Sequence, residues 1–472
     1  MTGLPTFRFC ERRTMLKRAA VGFGHLAFSA LLADGAESPD RASDAARLPH
    51  FRPRARRVIF LFMKGGPSHV DTFEFKPRLQ QDDGKELPFD KPRVQFAPTG
   101  KLLRSPWRFR HYGQSGIQIS ELFPHVANHV DDICFLHSVH GTNAAHGGAL
   151  LKLHTGSDTF VRPSMGSWIT FGLGTDNENL PGFITICPTL AHGGVKNWSS
   201  AFLPAQFQGT PLGNASLPAT EARLKYATNA AVSRSTQQLQ IDLLREFNAD
   251  YEQVAGAHDM LDARMKSFEL AFRMQTEAPE VEDISDESQA TLKLYGLDND
   301  VTKDFGRQCL LARRFAERGV RFIQVTHSDS HVQWDQHSDL LQGHTKNAAE
   351  VDRPIAGLLA DLKQRGLLDD TLVLWGGEFG RTPTAQGTNG RDHNPEGFTM
   401  WMAGGGVKGG FRYGATDEYG YYAVEDKMHI NDLHATLLHI LGLDHERLTY
   451  RFAGRDFRLT DIAGSVAHGI LA

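Results

Sequence analysis

With 472 residues and a formal net charge of -4, the chain is long enough to bury a large core and gives no electrostatic reason to expect a nucleic-acid partner. Its four cysteines are too few and too scattered for a disulfide framework or a cysteine zinc cluster. The length favours one large α/β domain with insertions.

The amino terminus has the composition of an export signal. Adjacent Arg12 and Arg13 precede a short, weakly apolar run that ends at Ala33. This pattern is similar to a twin-arginine signal, so we predict a signal over residues 1–33, the twin-arginine machinery as a partner and a periplasmic or otherwise exported destination. The run is too short for a stable membrane span across a ~30 Å hydrocarbon core. An amphipathic helix of a cytosolic protein is the alternative. Residues 34–57 are predicted to be a loose linker.

Two apolar runs in the first third of the chain predict buried strands. Val58–Met63 enters a glycine turn, and Ile133–Val139 is followed by a short helix-like segment. Polar side chains come directly after both runs. They are Ser68, His69 and Asp71 in the first case, and Thr142, Asn143 and His146 in the second.

A charged region with helical periodicity predicts a helical insertion near residues 235–290. We expect its apolar stripe to pack against the rest of the protein. The stripe consists of Leu239, Leu243, Leu244 and Phe247. Residues 280–287 are acidic, which predicts a solvated connection or, as the alternative, a surface site for a divalent ion.

The second half of the chain alternates helix, glycine and apolar strand. The predicted helix Cys309–Arg318 ends at Gly319 before a strand over 320–325, and the helix Ile355–Arg365 precedes the strand Thr371–Trp375. This alternation is typical of a parallel sheet covered by helices on both faces. The predicted fold class is therefore α/β with a mostly parallel central sheet.

Imidazole and carboxylate groups recur at almost every second position after the strand 320–325. They are His327, Asp329, His331, Asp335 and His337. Alternate residues of an extended backbone share a face, and ionisable groups are costly to bury unless they are paired or bind a metal. Because open α/β sheets bind ligands at the carboxyl ends of their strands, the tract indicates a metal or phosphate-like site. A solvated surface loop is the alternative.

Polar residues also follow the strand Thr371–Trp375. Glu378 lies at its predicted carboxyl end, and Arg381 is suited to bind an oxyanion with two nitrogens. A simple ion pair between Glu378 and Arg381 is the alternative. Asp392 and His393 stand in a glycine-rich loop, where they could face the same site or cap a turn.

Together the strand ends offer oxygen and imidazole ligands without thiolates. Such a set suits a divalent ion such as zinc, manganese or calcium, and the mixture of histidine and carboxylate favours zinc or manganese. The predicted metal ligands are His69, Asp71, Asp335, His337, Glu378, Asp392 and His393.

Five segments resemble the domain of unknown function 1501 family, over nearly the whole chain after the signal. They are Phe62–Ser68, Gln333–His337, Gly377–Thr382, Gly390–His393 and Asp432–His439. More remotely, the sequence is similar to the alkaline phosphatase and sulfatase superfamily. That similarity implies a three-layer α/β sandwich over residues 58–472.

The remote similarity also implies roles for individual residues. Glu378 would take the position of a ligand aspartate, and His393 that of a late histidine ligand. Asp335 and His337 would take the positions of the earlier aspartate and histidine ligands.

The chain departs from the superfamily pattern at three places. Phe379 stands where a histidine is expected, Lys64 stands where a ligand aspartate is expected, and the sulfatase nucleophile box is missing. Thr142 is then the expected nucleophile, with His146 as a ligand or base.

Two functions are compatible with these patterns. The first is an exported metal-dependent hydrolase of phosphate or sulfate esters, in which Arg381 steadies charge on the transferred group and the substrate is a small-molecule or polysaccharide ester. The second is an exported binding or scaffold protein that keeps the hydrolase fold without turnover and recognises sulfated polysaccharide.

Overall fold

The computed structural model describes residues 48–90, 98–225, 231–256, 259–328 and 333–472, which fall in one compact unit, Asp44–Ala472. The predicted signal and most of the predicted linker lie outside these residues, as do Asp329 and His331. Within the described ranges, no helix has the length and apolar character needed to span a membrane.

The strands are numbered in chain order. They are β1 Arg57–Met63, β2 Phe109–Tyr112, β3 Ile117–Ser120, β4 Ile133–His140, β5 Phe183–Ile186, β6 Thr210–Leu212, β7 Phe322–His327, β8 Thr371–Gly376, β9 Gly380–Gln386, β10 Gly390–Asn394, β11 Phe398–Ala403, β12 Phe411–Tyr413, β13 Ala415–Thr416, β14 Ala423–Glu425, β15 Met428–His429, β16 Tyr450–Phe452 and β17 Arg455–Phe457.

The helices are numbered in the same way. They are α1 His69–Thr72, α2 Pro77–Gln81, α3 His146–Thr155, α4 Met165–Leu173, α5 Arg234–Ala255, α6 Asp259–Glu282, α7 Gln289–Leu294, α8 Lys303–Glu317, α9 Leu340–Gln364 and α10 Ile430–Ile440. Four short 3-10 helices span Val126–Asp132, Gly194–Trp198, Ala205–Phe207 and His468–Ile470 in the described ranges.

A central sheet carries the fold. In the part of the chain that the structure describes it has nine strands in the order β12-β4-β11-β8-β1-β7-β5-β6, with β15 also paired to β4. β1 pairs in parallel with β7 and β8, and β11 is antiparallel to β8 and β4. The mostly parallel α/β sheet predicted from the sequence is therefore confirmed.

Helices cover both faces of this sheet. Ile59 and Leu61 of β1 point into one buried cluster with residues of α8 and α9, whereas Phe60 and Phe62 point into a second cluster with residues of α3, α4 and α10. Successive side chains of a strand face opposite sides, so a strand buried on both sides is apolar throughout. The result is the expected three-layer sandwich.

The predicted helical insertion forms two helices, α5 and α6, but its apolar stripe does not pack as predicted. Leu239 is 69 % exposed and Phe247 is 59 % exposed, and Leu243 and Leu244 are also exposed. α5 instead buries Ile241. Helical periodicity identified the helix, but it did not identify the face that is buried.

Two connections also differ from the sequence-based expectation. The acidic stretch is only partly solvated, because Glu287 accepts hydrogen bonds from the buried Arg313 and Arg314 at 2.6 Å each. The glycine-rich segment after β8 is a hairpin of β9 and β10 rather than a loop.

Candidate functional site

The carboxyl ends of β1, β7 and β8 meet at one edge of the sheet, where an open α/β sheet binds ligands. β11 runs the opposite way, so the hairpin that precedes it lies at the same edge. In that hairpin, His393 of β10 pairs in register with Arg381 of β9. Segments that are distant in sequence therefore place polar side chains at one edge of the sheet.

Asp335 lies at the centre of this group. Its Oδ1 is 2.9 Å from Nε2 of His337 and 2.9 Å from Nε2 of His393, and it accepts a hydrogen bond from Nη2 of Arg381 at 2.6 Å. Nε2 of His146 lies 3.2 Å from Oδ2, without hydrogen-bond geometry. Three imidazoles thus surround one carboxylate.

The second nitrogen of each imidazole faces another oxygen. Nδ1 of His393 is 2.6 Å from the carbonyl oxygen of Ala144, Nδ1 of His146 is 2.7 Å from Oε1 of Glu378, and Nδ1 of His337 contacts Oε1 of Gln386. Histidines that bind metals characteristically donate their other ring N–H to a carbonyl or carboxylate. All three rings have this arrangement.

His393 provides a test of whether a cation fits. A carbonyl oxygen can only accept, so the contact with Ala144 places the proton on Nδ1 of His393 and leaves a lone pair on Nε2 of the neutral ring. Burial is the main reason that the pKa of His393 is lowered to about 4, with Arg381 acting in the same direction. Near neutral pH, Nε2 of His393 and Oδ1 of Asp335 are therefore two acceptors that face each other at 2.9 Å. A cation between them would resolve this contact.

Both carboxylates of the group stay ionised. Burial would raise the pKa of Asp335, but the neighbouring imidazoles and the charge of Arg381 hold it well below its usual range. Burial likewise opposes ionisation of Glu378, whose pKa is nonetheless lowered by His146 and by the amide of Gly65. Asp335 is thus already in the charge state that a metal requires. Although burial acts the other way, Asp335 and Glu378 raise the pKa of His146, and the hydrogen bond to Asp335 raises the pKa of His337.

Glu378 lies behind His146 rather than beside Asp335. It is 1 % exposed, and its two carboxylate oxygens accept the N–H of Gly65 at 3.0 and 3.1 Å. Its remaining contact is with Nδ1 of His146. Glu378 was predicted as a metal ligand, but these contacts suit a residue that orients the imidazole.

Arg381 is fully buried, and its donors point to protein oxygens. Nε donates to the carbonyl of Gly66 at 2.9 Å, and Nη1 donates to that of Arg391 at 3.3 Å. Nη2 donates to the carbonyl of Gly65 as well as to Asp335. Arg381 therefore positions Asp335 and the turn after β1, and it forms neither the expected open oxyanion site nor the alternative ion pair with Glu378.

His69 and Asp71, both predicted ligands, have other partners. Asp71 is completely buried in an ion pair with Arg391, at 2.6 Å from Nε and 3.1 Å from Nη2. Nε2 of His69 contacts the carbonyl oxygen of Gly420 at 2.8 Å. The α1 turn that carries them packs on the β9–β10 hairpin, so both residues support the hairpin rather than face Asp335.

Thr142, the expected nucleophile, is exposed and donates to Oδ2 of Asp158 at 3.2 Å. His327 also lies apart, because it is buried between Glu350 and the indole N–H of Trp334. In the described part of the tract that follows it, residues 333 and 334 form a turn rather than an extended strand, although Asp335 and His337 do meet.

Two residues that lie beside the site, Lys64 and His192, were not predicted from the sequence as site residues. Lys64, directly after β1, is fully buried and donates to Oγ1 of Thr189 at 3.2 Å. His192 stacks on His146 with ring centroids 5.0 Å apart, and burial, His146 and Lys64 lower its pKa. A lysine in the turn after a central strand was the available signal for Lys64. His192 follows no predicted strand, and only the fold brings it near.

Two overlapping groups of side chains could hold a metal ion. One is His146, Asp335 and His393, and the other is His337, Asp392 and His393, with ligand atoms within 4.8 Å of one another in each group. Imidazole and carboxylate without thiolate is a set that zinc and manganese use. Of the seven predicted ligands, these groups contain Asp335, His337, Asp392 and His393, together with His146, which had been predicted as a ligand or base.

A family profile described as "Protein of unknown function (DUF1501)" matches residues 55–471. The chain belongs to the DUF1501 family. The match includes every residue of the group around Asp335, so the site lies within the part of the chain that defines DUF1501 proteins. None of the curated proteins matches the chain.

Solved structures with a similar arrangement include members of the sulfatase and alkaline phosphatase superfamily. The lipoteichoic acid synthase LtaP from Listeria monocytogenes has 9% identity and a TM-score of 0.37, with 88% of this chain and 78% of that chain covered. The PsFucS1 sulfatase from Pseudoalteromonas sp. has 13% identity and a TM-score of 0.34, with 83% and 69% covered. The alkaline phosphatase from the Antarctic bacterium TAB5 has 12% identity and a TM-score of 0.31, with 84% and 99% covered.

Proposed function

We propose that this DUF1501 protein is an exported, metal-dependent hydrolase of phosphate or sulfate esters. The observation that carries the proposal is the convergence of three imidazoles on Asp335, each held from behind by a second oxygen. A half-buried carboxylate surrounded by three imidazoles, with no thiolate among them, is a donor set that suits a divalent cation such as zinc or manganese.

The residues of the site divide into holding and positioning roles. Asp335, His146, His337 and His393 would hold the ion. Asp392 would stand beside His337, with 3.9 Å between Oδ1 of Asp392 and Nδ1 of His337. A bound ion would supply Lewis-acid stabilisation of charge that develops on the ester oxygens.

The remaining groups act through their neighbours. Glu378 keeps a proton on Nδ1 of His146, so that Nε2 presents its lone pair to the site. Lys64 adds a buried positive charge at the same sheet edge, where it favours an anionic ester group. Glu378 thereby fixes the orientation of the His146 ring before a substrate binds.

Metal content and ester hydrolysis test this proposal on the same protein. We expect full-length protein purified without chelator to contain zinc or manganese, and to hydrolyse aryl phosphates or aryl sulfates. His393→Ala should lose the metal and at least about 100-fold of the activity, because a ligand and its orientation are both removed. His111→Ala, at an exposed histidine that contacts Gly116, is the matched control and should change neither. Metal-free wild-type protein without turnover would contradict the proposal.

One observation favours the alternative, a binding protein that keeps the fold without turnover. The guanidinium of Arg381, 2.6 Å from Oδ1 of Asp335, already offsets the charge that a metal would use. The alternative predicts saturable binding of sulfated polysaccharide that survives Glu378→Ala and His337→Ala. Hydrolysis by the wild type would exclude it.

Export is proposed from the sequence alone. Arg12 and Arg13 precede a short apolar run, as in a twin-arginine signal. A fusion of residues 1–57 to a reporter that is active only outside the cytoplasm should lose its signal when both arginines are changed to lysine. Unchanged reporter activity would remove this part of the proposal.

A further inference from the structure

A groove of about 830 Å³ lies beside the candidate site and belongs to none of the contacts described so far. Its floor and walls combine aromatic rings and arginines. The residues that matter for its chemistry are Phe75, Arg104, Trp107, Arg108 and Phe109.

The groove lies near the metal site in the fold. Its wall includes Leu340 and Asn389, which are joined by a backbone hydrogen bond of 3.0 Å. Leu340 is three residues after His337, so their Cα atoms are at most about 11 Å apart. Asn389 is in the turn of the β9–β10 hairpin, next to Gly390, whose backbone packs against the carbonyl of His337. A substrate bound at Asp335 could therefore continue into the groove.

The exposed cations of the groove outnumber its carboxylates. The guanidinium of Arg108 forms no ion pair with any residue that the structure describes, whereas that of Arg104 lies 3.5 Å from Asp83, an exposed carboxylate that also lines the groove. Two arginines against one aspartate give the groove a net positive charge, which favours an anionic ligand.

The aromatic rings are arranged for a different contact. Phe75 and Phe109 are half-buried and lie 5.0 Å apart between centroids, and Trp107 is 8 % exposed. Partly exposed rings offer a flat apolar surface, to which the apolar face of a sugar ring can pack. Separate bases of a nucleic-acid strand would need successive exposed rings, which these mutually packed side chains do not provide.

We propose that this groove binds an anionic carbohydrate chain, namely the part of a sulfated or phosphorylated glycan that continues beyond the ester held at the metal site. The inference rests on the proposed function for the identity of that ester. Arg104 and Arg108 pair with anionic substituents, and the phenylalanine rings pack against the sugar.

Binding, rather than turnover, tests the groove. The full chain is titrated with a sulfated oligosaccharide, and with its desulfated counterpart, by calorimetry at two salt concentrations. We expect the sulfated form to bind at least about tenfold more tightly, and its affinity to fall with added salt, because exposed charges are screened. Arg104→Ala and Arg108→Ala should each weaken binding by about three- to tenfold.

Arg110→Ala is the matched control, because Arg110 is exposed on the adjacent β2 strand and does not line the groove. The His393→Ala protein should retain glycan binding, which separates failure of the groove from failure of the proposed metal chemistry. Equal binding by wild type and by Arg104→Ala and Arg108→Ala would overturn the proposal, as would an equal loss in Arg110→Ala. Tighter binding of a single-stranded oligonucleotide than of the sulfated glycan would also overturn it.

Discussion

At the residue scale, Asp335 and Glu378 are both ionised carboxylates of one site, but they contact different groups. Asp335 faces the side of each imidazole that is open to an ion, whereas Glu378 faces the back of His146 and the amide of Gly65. The same chemical group therefore has two roles, which are determined by the ring nitrogen that it contacts.

Glu378→Gln is expected to weaken zinc binding by about 10- to 100-fold, as the loss of an orienting partner does, while Asp335→Asn should abolish it. Competition with a chromogenic chelator measures both affinities, and the far-UV spectrum checks that each variant is folded. Equal losses in the two variants would show that Glu378 is itself a ligand.

Asp71 differs from Asp335 because its buried charge is paired with the guanidinium of Arg391 and does not face the candidate metal site. Breaking a buried ion pair from one side leaves an unpaired charge, so Asp71→Asn should lower the free energy of unfolding by about 3–5 kcal/mol. Urea denaturation measures that loss. Zinc stoichiometry at low temperature should stay at the wild-type value, and a folded Asp71→Asn protein without zinc would return Asp71 to the ligand set.

At the scale of elements, the turn after β1 determines where Asp335 lies. Gly65 has φ +110°, and a Cβ at this position would come within 2.8 Å of the backbone nitrogen of Asp335 and 2.7 Å of that of Trp334. The glycine thus permits both the unusual backbone conformation and the close approach of two loops.

Gly65→Ala should therefore reduce stability and metal affinity together. Gly84→Ala is the matched control, because Gly84 also has a positive φ, +77°, but a Cβ added there would have no other atom within 4 Å. The control should lose only the roughly 1–2 kcal/mol of backbone strain, with zinc binding unchanged. Thermal unfolding and chelator competition distinguish the two, and similar metal affinities in both variants would contradict this role for Gly65.

The elements also show what the sequence could and could not predict. β1 and β8 were predictable because strands buried on both faces are largely apolar. β7 was predictable from Phe322, Ile323 and Val325, although it also carries Gln324, Thr326 and His327. The buried face of α5 was not, because its periodic stripe is on the exposed side and only contacts distant in sequence decide which face is covered. The β9–β10 hairpin was missed for a related reason, since its polar strands pair with each other outside the apolar sheet.

At the scale of the whole molecule, strand order explains which site residues the sequence could identify. Asp335 and Glu378 follow β7 and β8, which flank β1, and His393 precedes β11, which pairs with β8, so the rule that ligands gather at strand ends selected them. The same rule selected His69 and Asp71, because it does not distinguish a side chain that faces the site from one that supports a neighbouring hairpin. That distinction depends on partners such as Arg391 and Gly420, which are more than 300 residues away.

The whole molecule also contains buried imidazoles outside the site, and they predict sensitivity to acid. Burial lowers the pKa of His137 and His154 to about 4, and that of His344 and His434 to about 3. The unfolded chain, with histidine pKa values near 6.5, therefore binds protons before the folded protein does. The contribution of these histidines to the free energy of unfolding is fully present above about pH 6.5. It is lost as the pH falls toward 4, by up to about 1.4 kcal/mol per pH unit for each histidine.

Urea unfolding at pH 7.5, 6 and 5 measures this loss. The slope of the unfolding free energy against pH gives the number of protons taken up on unfolding, and His434→Gln should reduce that number by about one. The glutamine amide can still donate to the carbonyl of Leu153, which His434 contacts at 2.7 Å, so the fold keeps that bond without the titrating ring. His111→Gln, at an exposed position, should leave the slope unchanged. An identical slope in wild type and His434→Gln would mean that His434 is not among the groups that take up protons on acid unfolding.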